Sequence, residues 1–354
     1  MILTDLKIHS LRNIIKAHLQ LNSRFNFIYG ANGSGKTSIL EALYLLSCGH
    51  SFRSREIAPI INQDQDTLTI FARAENEESI SIQKSRSEPT QVKLNNQFCY
   101  STSQLAYAMP CQIFYSDIFQ IIDAGASIRR SVLDWGLFHV KHNYLAVWKE
   151  YKKVLKQRNA LLKTRVAYNQ FIPWDLQLSH LANELDVMRK EYFAQWASNF
   201  IQVLSELTDV SCTIGYYRGW DKKESGKPLK DLLAESFESD MYKSFTQSGA
   251  HQADILIESN DFKAKQVLSR GQQKIILLGL KLAQAQMVEK DCLYLIDDLA
   301  AELDENHQSR LMNHLVTRKG QYVITNTASS QLFQSVPSNE ASIFQINSGL
   351  IVSS

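Results

Sequence analysis

The sequence predicts an α/β fold assembled from both ends of the chain, with a helical segment inserted between the halves. Three observations predict it. A short apolar strand, FNFIY (25–29), runs into a glycine-rich loop and then an apolar helix pattern. Near the other end, CLYLI (292–296) is apolar on both faces, as in the middle of a parallel sheet, and ends in two aspartates. Between them, from about Ile128 to Leu207, the pattern is helical, with one break near FIPWD (171–175).

Taken in order, LTDLKIHSL and AHLQLN alternate as strands, and SILEALYLLSCG reads as a helix closing at Gly49. TLTIFARA, SISIQKS and VKLNNQF alternate as an antiparallel sheet over 67–98. Strand texture returns at SCTIGYY (211–217), and a loop rich in Lys, Glu, Ser and Gly follows at 221–228. A long helix from Arg270, a helix near Asn306–Arg318, the strand QYVIT (321–325) and a closing hairpin, FQINSGLIV, complete the second α/β half.

The 354 residues suffice for one large domain with an insertion, or for two domains. Apolar and charged contents of 44% and 21% fit an ordinary soluble globular protein. Net charge is only +2, so any basic surface must be local. Cys48, Cys99, Cys111, Cys212 and Cys292 show no metal-like spacing, which suits reduced thiols in a cytoplasmic protein. No apolar run approaches the roughly 20 residues of a membrane span, and MILTDLKIHS lacks the pattern of a signal peptide.

GANGSGKT (30–37) matches G-x-x-x-x-G-K-[ST], with a strand before it and a helix after. Gly30, Ala31, Asn32, Gly33, Ser34, Gly35, Lys36 and Thr37 form the expected phosphate loop. Its backbone N–H groups wrap phosphate, and Gly33 and Gly35 remove Cβ atoms that would block the approach. Lys36 is expected to reach the β- and γ-phosphates of ATP, and the Thr37 hydroxyl to help hold Mg²⁺. Asp297 and Asp298 end an apolar strand, where α/β proteins bind ligands. Asp297 is expected to hold Mg²⁺ through water, and Asp298 to polarise the attacking water.

LSRGQQK (268–274) supplies a further anion-binding element. Ser269 caps a helix start, which presents free N–H groups and partial positive charge. If all three elements form one site, this one closes over the γ-phosphate from the opposite side. Sequence physics leaves open whether that happens within one chain or between two.

LSRGQQK resembles the signature motif of the ABC-type ATPases, in which the signature of one copy meets the nucleotide held by another. That resemblance implies a homodimer sandwiching two ATP molecules. Ser269, Arg270, Gly271 and Gln272 would face the nucleotide of the partner, and Asp298, Lys36 and Ser269 would form the catalytic set. Lys36 and Asp297 lie about 260 residues apart, a longer helical excursion than a transport subunit has. SLRN (10–13), HSFR (50–53), RRSVLDWGLFHV (129–140), QRNALLK (157–163), GAHQAD (249–254) and LIDDLAAELD (295–304) all resemble the RecF DNA replication and repair family.

By that resemblance the chain is an ABC-type P-loop ATPase head, a mixed sheet with helices, carrying an inserted helical lobe. Residues 1–110 form the N-terminal half of lobe I, 111–208 the helical lobe II, and 209–354 the C-terminal half of lobe I. The implied activity is an ATP-dependent, DNA-stimulated clamp. It acts at gaps between single-stranded and duplex DNA and helps RecO and RecR load RecA. Arg12 and Asn13 match positions near the nucleotide, and Gln112 matches the Q-loop glutamine, a candidate metal ligand. The chain departs from the family pattern at Ala301, where a serine is usual, and at Gln252, where a basic residue is. It departs again at SDIF (116–119), in place of a Pro-Glu element, and at Asn326, where a switch histidine would stand.

Residues 141–165 hold eight Lys or Arg and one acid. Lys149, Lys153, Lys156 and Lys163 share one helix face and suit phosphate contact without base readout. Trp148, Leu155 and Leu162 share another face expected to pack inward. Three rivals remain: a transporter ATPase subunit, an ABC-headed nuclease of the overcoming-lysogenization-defect type, and a P-loop fold with no turnover. The insert argues against the first. The roughly 50 residues after Asp304 leave no room for the cutting domain of the second.

Overall fold

The computed structural model describes residues 1–299, 301, 303–327 and 335–353. Strands β1 (Leu3–Leu11), β2 (Ile14–Gln20) and β3 (Phe25–Tyr29) precede helix α1 (Lys36–Cys48). Next come β4 (Thr67–Ala74), β5 (Ser79–Ser85), β6 (Gln91–Leu94), β7 (Gln97–Phe98), α2 (Thr102–Ala108) and β8 (Cys111–Phe114). The helices α3 (Gln120–Asp123), α4 (Ala126–Val140), α5 (Tyr144–Leu162) and α6 (Ile172–Leu207) lead to β9 (Thr213–Tyr217). Then follow α7 (Leu229–Glu235), α8 (Phe237–Lys243), β10 (Asp254–Ser259), β11 (Phe262–Lys263), α9 (Ala264–Val267) and α10 (Arg270–Ala285). The chain finishes with β12 (Leu293–Ile296), α11 (Glu305–Thr317), β13 (Gln321–Asn326), β14 (Ala341–Asn347) and β15 (Leu350–Ser353).

The chain divides into two compact units, residues 1–118, 206–208 and 288–354 in one, 119–205 and 209–287 in the other. The first contains two six-stranded sheets. One is antiparallel, in the order β2-β1-β4-β5-β6-β7, and the other is mixed, in the order β15-β14-β3-β13-β12-β8. Strands β14, β3, β13, β12 and β8 run parallel, with Ile296 beside both Ile324 and Phe114. Helix α1 touches strands of both sheets, and its residues Ile39, Leu40, Leu43 and Leu46 sit in one core with Leu6, Ile70, Leu295 and Val323. A helix apolar on nearly every side is a core helix, which is why SILEALYLLSC shows so little polar face. The opposite face of the mixed sheet carries a stack of Phe25, Tyr322 and Tyr294, with ring centroids 4.9 and 4.7 Å apart.

The second unit holds α3–α10, apart from the last two residues of α6, and the three-stranded sheet β11-β10-β9. Its boundaries differ from those expected. Residues 209–287, assigned from sequence to lobe I, fold with the helical unit. Helix α4 packs on β10 and α10, Trp196 of α6 donates to the Leu280 carbonyl, and Gln284 of α10 donates to the Val132 carbonyl and the Tyr192 hydroxyl. The expected break near FIPWD is the start of a single 36-residue helix, with Pro173 in its first turn, where a missing N–H costs nothing.

Several family-like strings act as fasteners here. Arg129 forks onto Asp254 at 2.7 and 3.0 Å, Arg130 donates to the Ala253 carbonyl, and Arg189 to the Ala250 carbonyl. GAHQAD is thereby held from two helices. Arg158, counted in the basic run, is buried and pairs with Asp175 and Asp240, so it offers no surface charge. Breaking such a buried set leaves uncompensated charge and costs about 3–5 kcal/mol. The inward face of α5 is also rotated from the expected one. Tyr144, Tyr151, Val154, Arg158 and Leu162 are buried, whereas Trp148 and Leu155 are half-buried.

Candidate nucleotide site

Strand β3 delivers the loop Gly30–Gly35 to the N-terminus of α1. Gly33 and Gly35 have φ of 78° and 114°, backbone that side chains rarely adopt. A Cβ on Gly33 would meet nothing within 4 Å, so the loop is open on that side. A Cβ on Gly30 would lie 2.2 Å from the Ile346 carbonyl of β14. The β14–β15 hairpin also donates from Gly349 N to the Ser34 carbonyl at 2.8 Å. The closing hairpin therefore buttresses the loop from behind, which the sequence reading missed.

Lys36 is only 7% exposed and donates to the Gly30 and Ala31 carbonyls at 2.7 and 3.0 Å. Burial lowers its pKa, and the carboxylates of Asp298 and Asp297 pull it back up. Thr37 Oγ1 donates to Asp297 at 3.0 and 3.1 Å to the two oxygens. Thr325, fully buried on β13, donates to Asp297 Oδ1 at 2.7 Å and accepts from Asp298 N at 2.9 Å. Asp298 has φ of 47°, and that hydrogen bond helps hold its backbone there. Arg12, Asn13, Asn32, Gly33, Gly35, Lys36, Thr37, Asp297 and Asp298 thus line one cleft of about 380 Å³.

Arg12 forks onto Glu41 at 2.8 and 2.9 Å and donates to the Pro59 carbonyl at 2.8 Å. Asn13 donates to the Gly33 carbonyl and accepts from Ser38. The structure does not bring Gln112 to the cleft. It lies on β8 beside Tyr294, two residues short of the strand end, on the sheet face opposite α1. Arg53, Ser38 and Thr327 line the cleft and were not foreseen, nor was Glu41, the buried partner of Arg12. Glu41 could have been found as the one acid in an apolar helix, a pattern that demands a buried cation. Arg53 stood in the string HSFR without a role.

The donors at the cleft suit Mg²⁺, a hard cation that takes oxygen ligands and keeps phosphate and water in its shell. Thr37 and Asp297 already place a hydroxyl and a carboxylate together. Among the described residues no group of three or more His, Cys, Asp or Glu is arranged as a metal cage, so a protein-only metal site is not built here.

In the second unit Ser269 caps α10 with a full capping box. Its hydroxyl accepts from Gln272 N at 3.3 Å, and the Gln272 side chain accepts from Ser269 N at 3.0 Å. Arg270 donates to Asp123 at 2.8 Å and lies 4.8 Å over the Phe119 ring. Helix geometry leaves the first-turn N–H groups of Arg270 and Gly271 without an intrahelical acceptor. Lys149, Lys153, Lys156 and Lys163 are all exposed. Ala301 is described, but Ala300 and Glu302 of LIDDLAAELD lie outside the described residues.

The model of the RecF/RecN/SMC N terminal domain family matches residues 2–351. The "DNA replication and repair protein RecF" of Aliivibrio fischeri (strain ATCC 700601 / ES114) is 37% identical over 366 residues, covering 99% of both chains. The chain belongs to the RecF family of DNA replication and repair proteins. The "DNA replication and repair protein RecF" of Pseudomonas syringae pv. syringae (strain B728a) is also 37% identical, over 92% of this chain and 90% of that one. A solved structure of "the recombination mediator protein RecF-ATP in RecFOR pathway" superposes with a TM-score of 0.84 at 25% identity, covering 99% and 97% of the two chains. An Smc head bound to the C-winged helix domain of ScpA matches with a TM-score of 0.64 at 16% identity, over 100% and 98%, and so shares the fold. The fold is thus that of the RecF and Smc-head ATPases, and the transporter alternative is not favoured. No helix among the described residues is long and apolar enough to cross a membrane.

Proposed function

We propose that the protein is an ATP-dependent DNA clamp of recombinational repair, with Mg²⁺ as its cofactor and slow, DNA-stimulated hydrolysis. One observation carries the reading: Lys36 and Thr37 share a cleft with Asp297 and Asp298, residues about 260 positions away. Backbone N–H groups of Gly33–Lys36 would bind phosphate, and Lys36 would turn from its carbonyl partners to the β- and γ-phosphates. Thr37 and Asp297 would hold Mg²⁺, which neutralises phosphate charge when bound. Asp298 would orient water and take its proton. Ser269 and the open N–H groups of Arg270 and Gly271 would face the nucleotide of a second copy, so that the site is complete only in an ATP-bound homodimer.

The lysines of α5 and Lys163 would contact DNA phosphates at gaps between single-stranded and duplex DNA, in the cytoplasm. RecO and RecR are the partners that the RecFOR relative suggests. The helical unit corresponds to lobe II and the two-sheet unit to lobe I. Lys36→Ala tests the reading: it removes a charge-assisted contact and weakens binding of a fluorescent ATP analogue about 10- to 100-fold. Unchanged affinity would reject the cleft as the ATP site.

A further inference from the structure

The last two residues of α6, Glu206 and Leu207, belong to the first unit, although the rest of this helix lies in the second. A helix C-terminus presents unpaired carbonyls and partial negative charge. Helix α11 and its C-cap residue Arg318 meet it with basic side chains three or four positions apart: His307, Arg310, His314 and Arg318. Arg310 donates to the Glu206 carbonyl at 2.9 Å, His314 Nδ1 lies 2.5 Å from Glu206 Oε2, and Arg318 donates to Glu206 Oε1 at 2.8 Å.

His307 does something different from the other three. Its Nε2 lies 3.2 Å from the hydroxyl of Thr208, the residue after α6, which is 3% exposed. Its Nδ1 lies 2.9 Å from both carboxylate oxygens of Asp304. With Nδ1–H donated to Asp304, Nε2 is left to accept the Thr208 proton. Asp304 is the N-cap of α11, accepting from His307 N at 2.8 Å. One imidazole therefore joins the end of α6 to the cap that lies seven positions past Asp297. Described residues between the cap and the acid pair are also bonded. Gln308 donates to the Leu303 carbonyl, Ala301 N to the Asp298 carbonyl and Leu299 N to the Thr325 carbonyl.

We infer that His307 and Thr208 are positioning residues that couple the nucleotide cleft to the end of α6, so that ATP binding tightens the last turn of this helix. The inference rests on the reading of the cleft as an ATP site. A basic face that merely solvates α11 would not bury His314 at 3% exposure or seat four side chains on one helix end.

The test is amide hydrogen exchange over residues 204–208 of the full chain, with and without ATP and Mg²⁺. ATP affinity is measured in parallel. In the wild type ATP slows exchange there about fivefold, the worth of one hydrogen bond near 1 kcal/mol. Thr208→Val and His307→Ala bind ATP with wild-type affinity and lose that difference. Arg318→Gln loosens the same turn without touching Asp304, raises exchange in both states and keeps the difference. ATP binding with no change at 204–208 in the wild type overturns the coupling and leaves the ATP reading intact. So does a full response in both variants, or loss of the difference in Arg318→Gln. A wild type that binds no ATP removes the reading of the cleft and the coupling together.

Discussion

Thr325→Val isolates the residue that holds both acids. Thr325 is fully buried at the end of the central strand β13, and valine fills the same space without the hydroxyl. The change deletes an O–H···O⁻ bond of 2.7 Å to Asp297, worth about 1.5–3 kcal/mol as a charge-assisted contact. It also removes the acceptor of the Asp298 N–H, a bond worth about 0.5–1.5 kcal/mol. The two share a partner and are not additive, so about 3 kcal/mol is expected. At roughly 2–4 °C per kcal/mol for a unit of this size, the melting temperature falls by about 6–12 °C. Asp297 and the left-handed backbone of Asp298 lose their anchor, so half-maximal ATP binding requires more Mg²⁺. Thr325→Ser keeps the hydroxyl and behaves as wild type in that titration. The assays are thermal unfolding and titration of an ATP analogue across Mg²⁺ concentrations. A Thr325→Val protein with wild-type melting and wild-type Mg²⁺ dependence would refute the reasoning.

Two further outcomes are expected. Charge reversal at both Lys153 and Lys156 makes the log–log salt dependence of DNA binding shallower by about 1.8, at roughly 0.9 per phosphate contact, and leaves ATP affinity alone. An unchanged slope would take the α5 face out of the DNA site. Burial holds His251 below its ordinary pKa of 6.5, and the charges of Arg130 and Arg158 add to this. Its Nε2 faces the Thr246 carbonyl and its Nδ1 the Tyr151 hydroxyl, which suits the neutral ring. As pH drops below about 6.5 the unfolded chain takes up a proton that folded His251 resists, so stability falls until the folded ring protonates too. The melting temperature should therefore be lower at pH 5.5 than at pH 7.5, and the gap should narrow in His251→Asn; an equal gap in the variant would contradict this.

The α/β frame was legible because its signals are local. FNFIY ends in a loop whose glycines adopt the φ values that the motif demands, and Gly49 closes α1 with φ of 74°. CLYLI and QYVIT became adjacent parallel strands because residues apolar on both faces fit only a covered sheet. What stayed hidden depends on distant partners. Nothing near GAHQAD shows that Arg129, Arg130 and Arg189 will hold it, so the strand–loop texture after 209 was placed in lobe I. Arg158 counted as surface charge because its acids, Asp175 and Asp240, lie 17 and 82 positions away. Gln112 followed a motif correspondence, and strand register set it two residues from the strand end. Thr325 looked like one more β-branched strand residue, and its hydroxyl acquires a role only once β13 lies beside β12.

The central claim is that each chain holds ATP in its own cleft and completes the site of another with its Ser269 helix. Light scattering on the purified protein, with and without saturating ATP and Mg²⁺, measures this most directly. The account predicts a monomer of 40.4 kDa without nucleotide and twice that mass with ATP. Ser269→Arg should bind ATP as tightly and stay monomeric. A wild type that keeps one mass while saturated with ATP, or a Ser269→Arg protein that still doubles, would contradict it.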